Sequence, residues 1–86
     1  MERHHIHYDT ERRSFIFPLD GDHAGYRAIV PAEFLDDELG EGSTQRERED
    51  WIIDHMVDIL GAVTARMGGG IVTEPWSRVM VEETTP

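Results

Sequence analysis

The sequence lacks cysteine and lysine, and it has no long hydrophobic run. Because there is no cysteine, the chain cannot form a disulfide bond, a thiolate nucleophile or a thiolate metal site. No apolar stretch approaches the roughly 18–20 residues that a transmembrane helix needs, and residues 1–13 lack the apolar core of a secretory signal. These absences predict a cytoplasmic protein that does not contact a membrane.

The charge of the chain is strongly negative. It has 18 acidic residues against 8 basic ones, all of them arginine, and a formal net charge of -10. A negative field repels phosphate backbones, so no binding to nucleic acid is expected. Three interpretations of the charge are open: solubility of a small domain, adaptation to high salt, and mimicry of nucleic acid by an inhibitor that occupies the basic groove of a partner protein.

The 86 residues are enough for one domain, 1–86, with a thin core between a sheet and one or two helices. Apolar and polar residues alternate in three early segments, which predicts three strands: 5–8, 14–19 and 26–30. The β-rich segment 71–83 predicts a fourth strand, and residues 84–86 predict a frayed tail.

Two helices are predicted between the third and fourth strands. The shorter runs from Pro31, which suits a first helical turn, to Gly40, which suits a C-terminal cap. Thr44 and Glu47 match a capping box, and a long helix is predicted from there to Met67. Its apolar stripe recurs at helical spacing: Ile52, Met56, Ile59, Val63 and Met67.

The order β-β-β-α-α-β predicts a small two-layer α+β domain. Consecutive strands most simply form an antiparallel meander. We therefore expect an antiparallel sheet of about four strands with the long helix packed on one face.

A set of aromatic and aliphatic positions follows this element order: Tyr8-Asp9, Phe15-Ile16-Phe17, Tyr26 to Val30, Phe34-Leu35 with Leu39, Trp51 with Ile59 and Ala62, and Val79 to Val81. In these positions, over roughly residues 5–83, the chain resembles the short bacterial proteins grouped as the domain of unknown function 1488. The resemblance implies a fold and no assigned activity. The segments 68–70 and 75–76 depart from the family pattern, which leaves the path of the last strand open.

Histidines near the N-terminus are candidate metal ligands. His5 and His7 share one face of the first predicted strand, and imidazoles at this spacing can ligate zinc, copper or nickel. Asp9 on the same face, or His23, is the candidate third ligand. A metal-binding module is therefore one alternative function, beside the simpler interpretation of a solvated polar strand.

No catalytic machinery is evident in the sequence. His55 lies beside the apolar stripe and is interpreted either as a packed histidine with one hydrogen bond or as a general base next to Asp54 or Asp58. No nucleophile elbow is present. Acidic residues surround the glycines of the 40–42 segment, which disfavours a phosphate-binding loop, and no cofactor is expected.

The two tryptophans are the best candidate contact residues, because tryptophan is enriched at binding hot spots. Trp76, Arg78 and Met80 are predicted to share one side of the last strand, and Trp51 lies on the long helix; the alternative is that both tryptophans complete the core. If the last strand lies at a sheet edge, it can pair with a second chain. We therefore expect a non-enzymatic protein-interaction or accessory domain that forms a homodimer or binds an unknown protein partner.

Overall fold

The computed structural model describes residues 5–84. Four strands form one antiparallel sheet in the order β1-β2-β3-β4: β1 (His7–Asp9), β2 (Ser14–Pro18), β3 (Tyr26–Pro31) and β4 (Met80–Glu83). The α-helices are α1 (Ala32–Leu39), α2 (Gln45–Asp54) and α3 (Met56–Met67), and two short 3₁₀ helices span Gly21–His23 and Trp76–Arg78. The predicted α+β class and the four-stranded antiparallel sheet are confirmed.

The two faces of the sheet have different partners. Successive residues of a strand point to opposite faces, and the strand register assigns them. The first face carries Tyr8, Phe15, Phe17, Ala28, Val30 and Val81, and the second face carries His7, Ile16, Arg27, Ile29, Met80 and Glu82. Buried side chains of all three helices pack against the first face in one hydrophobic core.

The predicted apolar stripe of the long helix supplies much of this core. Ile52, Ile59 and Val63 are fully buried, and Met56 packs against the core while partly exposed. Met67, at the end of the stripe, is 37% exposed. The stripe therefore faces the sheet over three helical turns and leaves it at the C-terminal end of α3.

The single long helix predicted from Thr44 to Met67 is wrong in one respect, because it is broken at His55. There the backbone has φ -106° and ψ 18°, which separates α2 from α3. The His55 ring stacks on the Trp51 ring, and its Nδ1 donates to the Trp51 carbonyl at 2.8 Å. The His55 N–H also donates to the Trp51 carbonyl and the Ile59 N–H to the His55 carbonyl, both at 3.0 Å, so helical hydrogen bonds continue through the break.

The predicted start of the long helix and end of the short one are confirmed. Thr44 Oγ1 accepts a hydrogen bond from the Glu47 backbone N–H at 3.1 Å, and the Glu47 carboxylate accepts one from the Thr44 N–H at 2.8 Å. Gly40 ends α1 with φ 93°, a conformation that favours glycine, and its N–H donates to the Asp36 carbonyl.

The last strand is much shorter than predicted. Only Met80–Glu83 is strand, while Trp76–Arg78 forms a 3₁₀ helix. The preceding backbone is used in turns: the Gly70 N–H donates to the Ala65 carbonyl, and the Ser77 N–H donates to the Thr73 carbonyl. Pro75 has no N–H to offer a ladder. The prediction that Trp76 and Arg78 lie on a strand is therefore wrong, whereas β4 is at a sheet edge as expected.

Candidate interaction site

Four aromatic rings gather where the helices meet the 3₁₀ helix that precedes β4. We call Phe34, Trp51, His55 and Trp76 the aromatic cluster. The Phe34 ring is buried and meets both indoles edge-on, with centroid distances of 5.5 Å to Trp51 and 6.1 Å to Trp76. The two indole centroids are 5.8 Å apart, and His55 stacks on Trp51 at 4.1 Å. Trp51, His55 and Trp76 are only partly buried, so the cluster joins the core to the surface.

Arg78 adds a cation to the edge of this cluster. Its guanidinium carbon lies 5.2 Å from the centroid of the Phe34 ring, and Nη1 donates to Asp37 Oδ2 at 2.6 Å. The hydrogen bond to Asp37 and the nearby carboxylates of Glu33 and Glu74 raise the pKa of Arg78 above its usual value. The edge of the cluster therefore holds an Arg78–Asp37 ion pair, and the guanidinium lies on the aromatic face of Phe34.

A shallow groove begins at the exposed side of Trp76. It lies between α3 and the segment 71–73 and has a volume of ≈ 240 Å³. Its lining is mostly apolar and consists of Val57, Asp58, Gly61, Ala62, Ala65, Ile71, Val72, Thr73 and Trp76. We call this feature the α3 groove. Because Trp76 belongs to both, the groove and the aromatic cluster form one continuous surface.

Two aliphatic side chains of the α3 groove are almost fully exposed to solvent. Val57 is 86% exposed and Ile71 is 90% exposed, more than any other large apolar side chain of residues 5–84. Neither residue contributes to the hydrophobic core. The groove thus combines a partly buried tryptophan with two aliphatic side chains that do not pack in the hydrophobic core.

The structure brings three of the four predicted contact residues together and separates the fourth. Trp51, Trp76 and Arg78 all surround Phe34. Met80 pairs with Ile29 on the second face of the sheet, where its side chain is 51% exposed. Met80 therefore cannot share a contact surface with Trp76, and the prediction that Trp76, Arg78 and Met80 face one side is wrong.

The second face of the sheet carries an ionic network that links the β1–β2 turn, β3 and β4. Glu82 on β4 accepts hydrogen bonds from Arg12 Nη1 at 2.9 Å, from Arg12 Nη2 at 2.6 Å and from Arg27 Nε at 2.9 Å. These hydrogen bonds, first that from Arg12 and then that from Arg27, lower the pKa of Glu82 to about 2. The network ties the β1–β2 turn and β3 to the edge strand.

The candidate metal ligands are only partly assembled. His5 and His7 line one shallow depression on the second face. Asp9 instead caps the following turn, since its Oδ1 accepts from the backbone N–H groups of Glu11 and Arg12 at 3.0 and 3.1 Å. Within residues 5–84, no three histidine or acidic side chains are grouped closely enough to hold a metal ion. His23 lies elsewhere, beside Thr64 on α3.

His23 Nε2 lies 3.2 Å from Thr64 Oγ1, and Thr64 Oγ1 donates to the Leu60 carbonyl at 2.9 Å. In this arrangement the hydroxyl proton of Thr64 is directed to the carbonyl rather than to His23. The His55 side chain donates from Nδ1 to the Trp51 carbonyl, and its ring stacks on Trp51. This arrangement matches the interpretation of a packed histidine with one hydrogen bond.

Most residues of the α3 groove, and the role of Phe34 in the aromatic cluster, were not singled out by the sequence. Phe34 was expected only as an apolar residue of α1, and Val57 and Ile71 were given no role. Val57 does carry a signal, because it is an aliphatic residue outside the apolar stripe of its own helix. The partnership of Phe34 with two distant tryptophans has no local signal.

Comparisons of the chain with protein-family models, with curated proteins and with solved structures found no match. The resemblance to the domain of unknown function 1488 therefore stays a prediction. In the described part of the chain, no helix has both the length and the apolar character needed to cross a membrane.

Proposed function

We propose that this chain is a non-enzymatic protein-interaction domain and that its contact surface is the aromatic cluster together with the α3 groove. The observation that carries the proposal is the exposure of Val57 and Ile71, at 86% and 90%, on a groove lined by Trp76. Tryptophan is enriched at binding hot spots, and the buried core of an interface is more apolar than the rest of the protein surface. Scattered exposed aliphatic residues need no explanation, but residues that line one groove together form a patch.

The charge of the chain favours a foreign partner over a second copy. Each copy has a net charge of -10, so two copies would repel each other as they approach. The groove itself includes Asp58, whereas Asp37 at the edge of the cluster is paired with Arg78. Asp58 and the net charge of -10 favour a partner whose contact surface is basic.

The proposal is tested by capture from native cells with matched variants. Val57→Ser combined with Ile71→Ser removes the exposed aliphatic side chains, and Met80→Ser makes the same kind of change on the second face. We expect a protein that is retained by the wild type and by Met80→Ser and is lost with the double variant. Capture that is equal for all three baits would contradict the proposal, even if many proteins are retained.

Salt dependence distinguishes the two kinds of partner. Binding of a basic protein weakens as salt screens the attraction, whereas dimerisation of an acidic chain strengthens as salt screens the repulsion. Sedimentation of the wild type over a range of salt concentrations measures the second effect. A dimer that strengthens with salt and disappears in the Val57→Ser, Ile71→Ser variant would replace the foreign partner by a second copy of this chain.

A further inference from the structure

The α3 groove contains a glycine that the fold does not require. Gly61 lies in the middle of α3, where glycine is less favourable than alanine. A Cβ atom built on Gly61 meets no atom within 4 Å, and its φ is not in the positive region. Neither packing nor backbone conformation therefore explains this glycine, and its exposed surface is part of the groove.

A glycine on a groove floor lets another backbone come close. Ala65, which is partly buried, and Ala62, which is only 7% exposed, line the groove with Gly61, so the side chains of α3 are small in this part of the lining. The distance between two packed helices depends on the side chains at the point of contact. A helix laid across Gly61 can therefore approach α3 closely while its apolar side chains contact Val57, Ile71 and Trp76.

The charged side chains at the groove determine which charge a docked helix should carry. Asp58 lies in the lining. Arg66 keeps its positive charge, but its side chain is directed to the Ser77 carbonyl, to which its Nη2 donates at 2.7 Å. Basic residues along one side of the docked helix would therefore meet Asp58 and complement the net charge of -10.

We infer that the α3 groove binds a basic amphipathic helix of a partner protein, which crosses α3 at Gly61. The inference rests on the proposed function and names the partner segment of that same surface. The mode is that of a helix in a groove, in which aliphatic anchors bind the apolar surface and the charged side chains fix the register. Trp76 contributes the aromatic wall of the groove, and its indole is available for contact with an arginine side chain.

The test uses three labelled peptides: an amphipathic helical peptide of leucine, alanine and arginine, the same peptide with glutamate for arginine, and the same peptide with serine for leucine. Fluorescence anisotropy at moderate salt measures the affinity of each. We expect binding of the first peptide only. Equal binding of the serine peptide would show attraction by charge alone and would overturn the inference, as would equal binding of the glutamate peptide.

Two variants, with one control, test whether the peptide binds in the groove. Gly61→Leu fills the groove and is expected to weaken binding about tenfold or more, which corresponds to ~1.4 kcal/mol. Gly42→Leu is the matched control in the α1–α2 loop, where a Cβ also meets nothing within 4 Å, and it should bind as the wild type does. Asp58→Asn should weaken binding and reduce its salt dependence without filling the groove. Unchanged affinity in both Gly61→Leu and Asp58→Asn would overturn the inference.

The two proposals fail in different ways. If no arginine peptide binds but a cellular protein is lost with the Val57→Ser, Ile71→Ser variant, the surface is a contact site for another kind of segment. If the peptide binds in the groove but no cellular protein depends on that surface, the groove has the inferred chemistry and the proposed function is wrong. Thermal unfolding of Gly61→Leu checks that the variant folds, and its stability should not fall because leucine is a better helix former than glycine.

Discussion

Replacing Ile59 by alanine is the most direct test of how α3 is held on the sheet. Ile59 is fully buried among side chains of the first face of the sheet. Alanine lacks three of its carbon atoms, which at about 0.8 kcal/mol per buried CH₂ is a loss of about 2.4 kcal/mol. The remaining cavity adds to this, and isoleucine to alanine changes in cores cost about 2–5 kcal/mol. We expect a loss of about 3 kcal/mol.

Val57 provides the control on the same helix, two positions away from Ile59. Because its side chain is 86% exposed, Val57→Ala should change stability by no more than about 0.5 kcal/mol. Urea unfolding followed by circular dichroism measures both variants against the wild type. The midpoint should fall for Ile59→Ala with little change in the slope, because the surface exposed on unfolding is nearly the same.

The same reasoning gives the expected thermal shift. For a domain of this size, a change of 1 kcal/mol moves the melting temperature by about 4–8 °C, so about 3 kcal/mol corresponds to roughly 12–24 °C. A loss below about 1 kcal/mol for Ile59→Ala would refute the placement of this side chain in the core. A loss for Val57→Ala as large as that for Ile59→Ala would refute the assignment of the exposed face of α3.

Three further predictions concern the cap, the ionic network and metal. Thr44→Ala should cost about 1 kcal/mol by removing the capping box, and a loss not exceeding that of an exposed control such as Gln45→Ala would contradict the cap. The pKa of Glu82 is lowered from 4.5 to about 2, so the ionised Glu82 stabilises the fold fully above pH 4.5, and this contribution is lost as the pH falls toward 2. Glu82→Gln should therefore lose less stability over that pH interval than the wild type does. An acid transition that is unchanged in the variant would argue against the network. Calorimetric titration with zinc should show only weak binding, in the range of about 10 μM to mM, and a sub-micromolar site that is lost on changing His5 and His7 to alanine would favour the metal-binding alternative.

The elements that depend on neighbouring residues were predictable from the sequence. Alternation predicted the segment of β2, the order of the strands predicted its antiparallel pairing with β3, and Thr44 with Glu47 predicted the start of α2. The first and last of these signals act over a few residues, through side-chain alternation or a cap. The apolar stripe likewise predicted Ile52, Ile59 and Val63 as core residues, because helical spacing places them on one side.

The break at His55 has no local signal in the sequence. Residues 45–67 have a continuous helical pattern, and the backbone hydrogen bonds continue through position 55, from the His55 N–H to the Trp51 carbonyl and from the Ile59 N–H to the His55 carbonyl. The change is confined to the backbone dihedral angles, which a pattern of apolar residues does not specify. The extent of the last strand was wrong because residues 71–73 favour a strand, yet the backbone that follows them is used in a turn: the Ser77 N–H donates to the Thr73 carbonyl, and the Ser77 carbonyl accepts from Arg66 on α3.

Long-range packing changes which residues can test the candidate site. On the sequence alone, both tryptophans were candidate contact residues, with Trp76 placed on a strand edge and Trp51 on the long helix. In the structure their rings are 5.8 Å apart and both contact the buried Phe34 ring. Either tryptophan replaced by alanine would therefore remove core packing as well as contact surface, and loss of binding would not be separable from loss of stability.

Val57 and Ile71 do not have this difficulty. Both line the groove next to Trp76, and neither belongs to the core. Substituting them changes the contact surface while the packing around Phe34 stays intact, so an effect on binding can be assigned to the surface itself. A domain of 86 residues has only about 4–13 kcal/mol of stability to lose, and this makes the distinction between surface and core substitutions decisive for any measurement of its function.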